Sequence, residues 1–315
     1  MEQNTIAVIW DFDKTLIPGY MQDPIFEHYG IDGNAFWKES NSLEEIYKKQ
    51  GIKVNSDTIY LNHMLTCVQQ GVFKGLNNEL LRELGGKLEF YQGVPEIFKE
   101  LKEIISKEEK YKLFGIHVEH YIVSTGLTEM IRGSGIQEYV DGIWGCEFIE
   151  NPQRTNLYIR EDQVDESSEI KQIGYIVDNT SKTRAVFEIN KGSNKIPEIK
   201  VNSKIDKQDR RVPFENMLYI ADGPSDVPVF SVIKQYGGKS FAIYPKGKEK
   251  QFEQVNNLIK DGRIDMFAEA DYSKDTTAYM WLTYNVKQIA ERIYKQAMSR
   301  TIEKAGKVSE HVISE

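Results

Sequence analysis

The stretch Ile6-Ala7-Val8-Ile9-Trp10-Asp11-Phe12-Asp13-Lys14-Thr15 joins an apolar run directly to two carboxylates. The apolar run predicts a fully buried strand of the kind found in parallel sheets. Carboxylates two residues apart at the end of such a strand raise each other's pKa unless a cation lies between them. A bound divalent cation and a phosphate would relieve this repulsion. The stretch therefore predicts an enzyme.

Further apolar runs alternate with helical patterns along the chain. Strands are predicted over residues 6–10, 118–123, 217–221 and 240–244, and helices over 95–106, 127–133, 182–190 and 227–236. This alternation predicts an α/β protein with a parallel sheet covered by helices on both faces. In such a sheet, ligands bind outside the carboxyl ends of the strands. Each motif below follows a predicted strand or begins a helix, so we expect one shared site.

The segment 19–88 has helical patterns and no buried strand. Helices are predicted over 24–29, 34–38, 42–50, 56–70 and 77–84, with a capping box at Ser42-Leu43-Glu44-Glu45 and an N-cap at Asn77 or Asn78. An insertion directly after the first acidic motif would lie over the site as a cap. The predicted organisation is therefore a discontinuous catalytic core, 1–18 and 89–315, with a helical cap domain over 19–88.

Three later segments complete the outline. Residues 157–160 and 173–177 suggest a hairpin on the sheet edge, 192–213 is a polar, lysine-rich excursion, and 276–304 predicts one or two C-terminal helices. We expect the C-terminal helices to pack against the core, with a dimer interface as the alternative.

Composition restricts the partners and the location. The 315 residues are 40% hydrophobic and carry a net charge of −8, which argues against nucleic acid or a membrane surface as the main partner. No apolar stretch approaches the ~20 residues of a spanning helix, and the first residues lack the features of a signal peptide. Cys67 and Cys146 are too few for a disulfide framework. We therefore expect a cytoplasmic monomer or homodimer.

Asp11 and Asp13 are the candidate catalytic pair. A carboxylate at the end of a buried strand can attack phosphorus and form an aspartyl phosphate, which divides hydrolysis into two easier steps. Asp13 can protonate the departing oxygen and then take a proton from the attacking water. The alternative is that both acids only cap the strand end or the following turn.

Ser124-Thr125-Gly126 follows the second predicted strand and precedes a predicted helix. Hydroxyl side chains and backbone N–H groups at such a turn can donate hydrogen bonds to phosphate oxygens. The alternative is that Ser124 or Thr125 is an ordinary helix N-cap. The three residues are the candidate phosphate-binding loop.

Two lysines are candidates for holding the phosphate charge. Asn179-Thr180-Ser181 predict N-caps, and Lys182 then lies in the first turn of a helix, where a cation opposes the helix dipole. Bound phosphate would reverse the sign of that interaction. Lys191 lies in the last turn before Gly192, where a cation is favourable without any function. This asymmetry favours Lys182 and leaves Lys191 as the alternative.

Asp222-Gly223-Pro224-Ser225-Asp226 follows the predicted strand 217–221. Asp222 can ligate Mg²⁺, since hard cations prefer carboxylate oxygens, and Gly223 permits a tight turn with close backbone approach. Asp226 can hold the metal's water ligands or orient Lys182. The alternative is an ordinary strand-to-helix turn in which Asp226 is an acid at the helix N-terminus.

Together these segments resemble the haloacid dehalogenase-like (HAD) superfamily of phosphohydrolases, in its phosphoserine phosphatase-like branch. The matching features are the D-x-D-x-T motif at Asp11, Ser124 after a core strand, Lys182, and the acidic loop from Asp222. They cover about residues 1–18 and 90–250. The resemblance implies a Rossmann-like core, Mg²⁺ dependence and an aspartyl-phosphate intermediate.

The resemblance also implies individual roles. Asp11 would be the nucleophile and Asp13 the general acid/base; Asp11, the backbone carbonyl of Asp13 and Asp222 would bind Mg²⁺, and Thr15 would steady the loop. An acid two residues after the nucleophile suits alcohol leaving groups, which favours a phosphatase over a dehalogenase. Ala221 departs from the glycine often found before the acidic loop.

The sequence thus predicts a Mg²⁺-dependent phosphatase acting on a small phosphorylated metabolite. The alternatives are a phosphomutase of the same superfamily and a catalytically silent scaffold that binds a metal or a partner. The segment 19–88 contains no recognisable substrate motif, so the identity of the ester stays open.

Overall fold

The computed structural model describes residues 2–153 and 168–313, with side chains as far as residue 303. The strands are β1 (Thr5–Trp10), β2 (His117–Leu127), β3 (Gly142–Ile149), β4 (Gln172–Tyr175), β5 (Met217–Ala221), β6 (Lys239–Tyr244) and β7 (Met266–Glu269). The helices are α1 (Asp23–Tyr29), α2 (Gly33–Lys49), α3 (Ile59–Gln69), α4 (Asn78–Gly85), α5 (Glu96–Ser106), α6 (Glu109–Leu113), α7 (Thr128–Gly133), α8 (Ser181–Lys191), α9 (Val227–Gln235), α10 (Glu249–Lys260) and α11 (Thr277–Ile313).

The strands form one sheet in the order β4-β3-β2-β1-β5-β6-β7. All neighbours pair in parallel except β3 and β4, which pair antiparallel at one edge. β1 is central: the chain adds β2 on one side of it and later β5 on the other, so the strand order reverses at β1. The crevice at the carboxyl end of such a reversal is where open α/β sheets bind ligands. The predicted fold class is confirmed.

The sheet is buried on both faces. Side chains of β1 alternate between two apolar clusters: Ile6, Val8 and Trp10 point to one, and Ala7 and Ile9 to the other. The first cluster includes residues of α5 and α11, and the second includes residues of α8, α9 and α10. This double burial explains why the central strands read as continuous apolar runs rather than alternating ones.

The sequence did not predict all the strands toward the edges of the sheet. β3 and β7 were not predicted, and the expected hairpin is realised differently, because β4 pairs with β3. The other half of that hairpin, residues 157–160, lies outside the described residues. The C-terminal pattern forms one helix, α11. Among the helices described, none is long and apolar enough to cross a membrane.

The segment between β1 and α5 is helical, as expected, but two details of the prediction are wrong. The two predicted helices 34–38 and 42–50 are one helix, α2. The capping box at Ser42 is wrong, because the Ser42 hydroxyl donates to the Glu39 carbonyl inside the helix at 2.7 Å. Asn77 does cap α4, accepting from the Leu80 N–H at 2.8 Å. Apolar residues of this segment join the cluster on one face of the sheet, and its division from the core as a separate domain stays a prediction.

Candidate active site

Asp11 directly follows β1, and hydrogen bonds hold both its backbone and its carboxylate in place. Its backbone N–H donates to the Ile220 carbonyl of β5 at 2.8 Å, which carries the strand pairing one residue past β1. Its carboxylate accepts from Lys182 Nζ at 2.7 Å and from Thr15 Oγ1 at 3.1 Å. The Thr15 carbonyl in turn accepts from the buried Tyr272 hydroxyl at 2.7 Å. Thr15 therefore connects the loop after β1 to the core.

Lys182 bridges two motifs that are far apart in the sequence. Its side chain is buried, and Nζ lies 2.7 Å from both Asp11 Oδ1 and Asp226 Oδ1. Burial alone lowers the pKa of a lysine, but the charges of Asp11 and Asp226 outweigh it and raise the pKa. Asp226 also accepts from Tyr219 Oη at 2.5 Å and from Ser225 Oγ at 2.9 Å. Lys182 is therefore a permanent cation between two carboxylates.

The start of α8, which positions Lys182, differs from the prediction. None of Asn179-Thr180-Ser181 supplies the cap; instead Asp178 Oδ1 accepts from the N–H groups of Thr180 at 3.0 Å and Ser181 at 2.6 Å. Ser181 Oγ accepts from the Asp178 N–H at 2.7 Å in return. An ionised carboxylate is the better partner for the positive end of the helix dipole. The arrangement is a reciprocal cap of the capping-box type.

Lys191, the alternative lysine, points away from this cluster. Its Nζ donates to the carbonyls of Val201 at 2.5 Å and Ser203 at 2.8 Å, both in the polar segment after α8. These contacts give Lys191 a structural role at the helix C-terminus, while Lys182 is the lysine that meets Asp11.

Asp13 and Asp222 add further negative charge to the same place. Burial, followed by the charge of Asp11, raises the pKa of Asp13 to about 8, and Asp13 Oδ1 accepts from the Met21 N–H at 2.9 Å. Burial and then Asp11 and Asp226 raise the pKa of Asp222 to about 7. Burial also raises the pKa of Asp11 to about 6, against the opposing effect of Lys182. One lysine does not compensate these carboxylates.

The carboxylates are close enough to share a cation. Oxygen atoms of Asp11, Asp222 and Asp226 all lie within 4.8 Å of one another. Both oxygens of Asp226 already accept hydrogen bonds, from Lys182, Tyr219 and Ser225. Each oxygen of Asp11 accepts one hydrogen bond, from Lys182 or Thr15. Within the part of the chain that the structure describes, no hydrogen bond reaches the Asp222 carboxylate, so Asp222 offers the most available oxygens. An all-oxygen set of this kind fits a hard divalent cation.

Ser124, Thr125 and Gly126 close another side of the site. They were predicted as a turn after the strand, but they lie inside β2, where its pairing with β3 shifts register between Val123 and Leu127. Ser124 Oγ accepts from the Gly126 N–H at 3.0 Å, and Thr125 lines the cleft. The Thr125 carbonyl accepts from Tyr60 Oη of α3 at 2.7 Å, so the inserted helices contact this part of β2 directly. A Cβ at Gly126 would lie 2.3 Å from Met21 Cε, so only glycine fits beneath Met21.

These residues surround a cleft of about 390 Å³. Its lining is mostly polar and consists of Asp11, Asp13, Lys14, Tyr20, Asp57, Thr125, Asn179, Lys182, Asp222, Pro224, Ser225, Gln251 and Gln254. A Cβ at Gly223 would lie 2.4 Å from Gln254 Nε2, so a larger residue there would displace the Gln254 side chain. Sequence reasoning missed Asp57 and the two glutamines of α10, because no local motif marks them.

Comparison with known proteins gives one close relative. No protein-family model matches the chain. The chain is 40% identical over 284 residues to a protein of Borreliella burgdorferi strain B31 that is named only as uncharacterized, and the match covers 89% of this chain and 96% of that one.

Solved structures are similar at much lower identity. A HAD-family hydrolase from Salmonella enterica serovar Typhi has a TM-score of 0.49 and 14% identity, over 90% of this chain and 72% of that one. A phospho-aspartyl intermediate analogue of phosphoserine phosphatase has a TM-score of 0.47 and 16% identity, over 89% and 99%. A probable phosphoserine phosphatase from Vibrio cholerae has a TM-score of 0.48 and 13% identity, over 92% and 67%.

The strand order and the meeting of all the sequence motifs at one edge of the sheet agree with the fold that the motifs implied. The chain belongs to the family of the Borreliella burgdorferi protein, and its fold is an α/β fold with a mostly parallel sheet of seven strands.

Proposed function

We propose that this protein is a Mg²⁺-dependent phosphatase that hydrolyses a small phosphomonoester through an aspartyl phosphate on Asp11. The observation that carries the proposal is the shared hydrogen bonding of Lys182 with Asp11 and Asp226 at 2.7 Å, beside the half-buried carboxylates of Asp13 and Asp222. Like charges are concentrated in this way where a substrate or cation is to be bound.

Asp11 is the nucleophile in this proposal. Lys182 and Thr15 each donate to one of its oxygens and fix the orientation of the carboxylate. A carboxylate oxygen keeps a further lone pair after accepting one hydrogen bond, so Asp11 can still attack phosphorus. The new oxygen–phosphorus bond forms as the bond between phosphorus and the leaving oxygen breaks.

Asp13 is the general acid and then the general base. Its raised pKa of about 8 keeps the carboxyl protonated at neutral pH, as an acid for an alkoxide leaving group must be. Asp13 gives this proton to the departing oxygen. It then takes a proton from the water that attacks the phosphoaspartate, which releases phosphate and restores Asp11. The hydrogen bond from the Met21 N–H holds the Asp13 carboxyl in position for both transfers.

The residues fit Mg²⁺ as the cation. Its ligands would be Asp11, the backbone carbonyl of Asp13 and Asp222. Asp226 would hold the water ligands of the ion. When bound, Mg²⁺ neutralises phosphate charge and acts as a Lewis acid toward a phosphoryl oxygen. Thr125, which lines the cleft, would donate to a remaining phosphate oxygen.

A phosphatase screen tests the proposal. We expect turnover of p-nitrophenyl phosphate and of some members of a metabolite panel with Mg²⁺, and its loss with EDTA. Absence of Mg²⁺-dependent turnover with every ester, or unaltered activity in Asp11→Asn, would contradict it and favour a silent scaffold. Dependence of turnover on a sugar bisphosphate would favour the phosphomutase alternative.

A further inference from the structure

Asp57 brings a carboxylate into the cleft from the inserted helical segment. It is half-buried just before α3 and lines the cleft together with Asp11 and Lys182. Its carboxylate accepts a long hydrogen bond from the Asn179 N–H, at 3.5 Å. Over the described residues, no lysine, arginine or histidine nitrogen forms an ion pair with it. A carboxylate that faces a cleft without a counter-charge is suited to a cationic ligand group.

The position of Asp57 relative to the catalytic lysine is fixed by one shared residue. Asn55 Oδ1 accepts from the Asp57 N–H at 2.9 Å, and Asn55 Nδ2 donates to Asp178 Oδ2 at 3.1 Å. The other oxygen of Asp178 caps α8, and the Asp178 carbonyl accepts from the Lys182 N–H at 3.0 Å. Asp178 therefore links the loop that carries Asp57 to the helix that carries Lys182.

The charges of the cleft select against an anionic leaving group. Four aspartates and two lysines line it, and with Asp13 protonated three carboxylates still outnumber the two lysines. A phosphate dianion and a divalent cation cancel each other, so negative charge stays in excess when both are bound. Lys14 is already engaged, because its Nζ lies 2.6 Å from Tyr20 Oη and 3.9 Å from the centre of the Tyr20 ring. A positive group on the leaving alcohol would be attracted, and a carboxylate there would be repelled.

We propose that Asp57 is a specificity-determining residue that binds a cationic nitrogen of the leaving group, so that the preferred substrates are phosphate esters of small amino alcohols. This inference rests on the proposed phosphatase function. The cleft volume of about 390 Å³ is near the lower end of the range for ligand sites and suits a short ester. Gln251 and Gln254 of α10 line the cleft as well and offer neutral hydrogen-bonding groups.

Three two-carbon esters of nearly equal size test the proposal: phosphoethanolamine, 2-hydroxyethyl phosphate and phosphoglycolate. They differ only in carrying an ammonium, a hydroxyl or a carboxylate. For the wild-type protein with Mg²⁺, we expect kcat/KM to be at least about tenfold higher for phosphoethanolamine than for 2-hydroxyethyl phosphate, from one charge-assisted hydrogen bond. Phosphoglycolate should be the poorest of the three.

Asp57→Asn should remove the preference for the ammonium ester. We expect the ratio of kcat/KM for phosphoethanolamine to kcat/KM for 2-hydroxyethyl phosphate to fall about tenfold. Asn55→Ala should lose part of the preference although the carboxylate remains, because the loop is no longer held by Asp178. Asp32→Asn is the matched control: Asp32 is an exposed acid of the same segment, outside the cleft lining, and an asparagine can still cap α2.

The outcomes separate this inference from the proposed function. Turnover of the neutral ester without any preference for the ammonium ester overturns the inference alone. An equal loss with all three esters in Asp57→Asn also overturns it, since that pattern indicates a structural role. No turnover of any ester, p-nitrophenyl phosphate included, overturns the phosphatase function together with the inference.

Discussion

Two charge clusters lie at opposite edges of the same parallel sheet, and they are built differently. At the amino edge, Glu119 of β2 accepts from both guanidinium nitrogens of Arg211, at 2.8 Å and 2.5 Å, and from Tyr121 Oη at 2.6 Å. His117 lies 3.5 Å away. Burial would raise the pKa of Glu119, but hydrogen bonds from His117, Arg211 and Tyr121 outweigh it and hold the pKa well below its usual range. This cluster is balanced.

The carboxyl-edge cluster is unbalanced. Asp11, Asp13, Asp222 and Asp226 surround Lys182, and the pKa values of Asp11, Asp13 and Asp222 are all raised. Removing charge from water is costly unless each charge finds a partner. A fold that satisfies Glu119 at one edge and leaves surplus carboxylates at the other keeps the second set for a ligand. The comparison thus separates a cluster whose charges are paired within the protein from the one that we propose binds a ligand.

Asp11→Asn gives the largest expected effect. Removing the attacking carboxylate should lower kcat by at least about 10³-fold with p-nitrophenyl phosphate and Mg²⁺, as for other lost nucleophiles. Circular dichroism should show a folded protein. Glu119→Gln removes a carboxylate from the balanced cluster and should leave kcat within about twofold. Equal losses in both variants would break the distinction between the clusters.

Glu119→Gln should instead lower stability. Because Arg211 would lose its carboxylate partner, the free energy of unfolding should fall by about 3 kcal/mol. This is the low end of the range for a broken buried ion pair, since Arg211 is partly exposed. The free energy of unfolding can be measured in urea at pH 7.

The same substitution should change the pH dependence. Because the pKa of Glu119 is lowered by folding, its contribution is present above the unfolded value of about 4.5 and is lost as pH falls toward the folded value. Below pH 4.5 the wild-type protein should therefore lose its advantage over Glu119→Gln. A constant difference between pH 7 and pH 3 would contradict the ion pair.

Mg²⁺ should stabilise the protein through the unbalanced cluster alone. At a concentration a hundredfold above its dissociation constant, a ligand of the folded state adds about 2.7 kcal/mol. We expect thermal or urea unfolding to show this gain in the wild-type protein and in Glu119→Gln, and EDTA to remove it. Asp222→Asn should lose most of the gain. An undiminished Mg²⁺ effect in Asp222→Asn would place the cation elsewhere.

Tyr219→Phe is the mildest probe. The Tyr219 hydroxyl donates to the same Asp226 oxygen that accepts from Lys182, so its loss should loosen the lysine and lower kcat by about fivefold, equivalent to one hydrogen bond of about 1 kcal/mol. Ser225→Ala is the control, because Ser225 contacts the other oxygen of Asp226. We expect a smaller change there. An equal change in both variants would indicate that the shared oxygen has no special role.

Much of the fold was predictable because burial leaves a clear pattern. β1 and β5 are buried along their whole length, and their apolar runs predicted them almost residue for residue. β3 and β7 were missed, since both are partly exposed and short or interrupted by glycine. The two-helix interpretation of α2 failed because a polar stretch can continue a helix on its solvent face.

The motifs that meet at the cleft were predictable, but their surroundings were not. Strand ends bring Asp11, Ser124 and Asp222 to one sheet edge, so local sequence was sufficient for them. Asp57 reaches the cleft through contacts with a loop more than a hundred residues away. Such contacts depend on how helices pack, which periodicity does not encode. The Asp178 cap was missed because three nearby polar residues were equally good candidates for the same position.

The most direct measurement of the central claim is the trapping of the phosphoenzyme. Asp13→Asn should still allow attack by Asp11 on an activated ester such as p-nitrophenyl phosphate, but it removes the base that activates water. With Mg²⁺, intact-mass spectrometry should detect the addition of one phosphoryl group, and peptide mapping should locate it on Asp11. The double variant Asp11→Asn, Asp13→Asn is the control and should gain nothing. A phosphoryl group on another residue, or hydrolysis that continues in the double variant, would contradict the account.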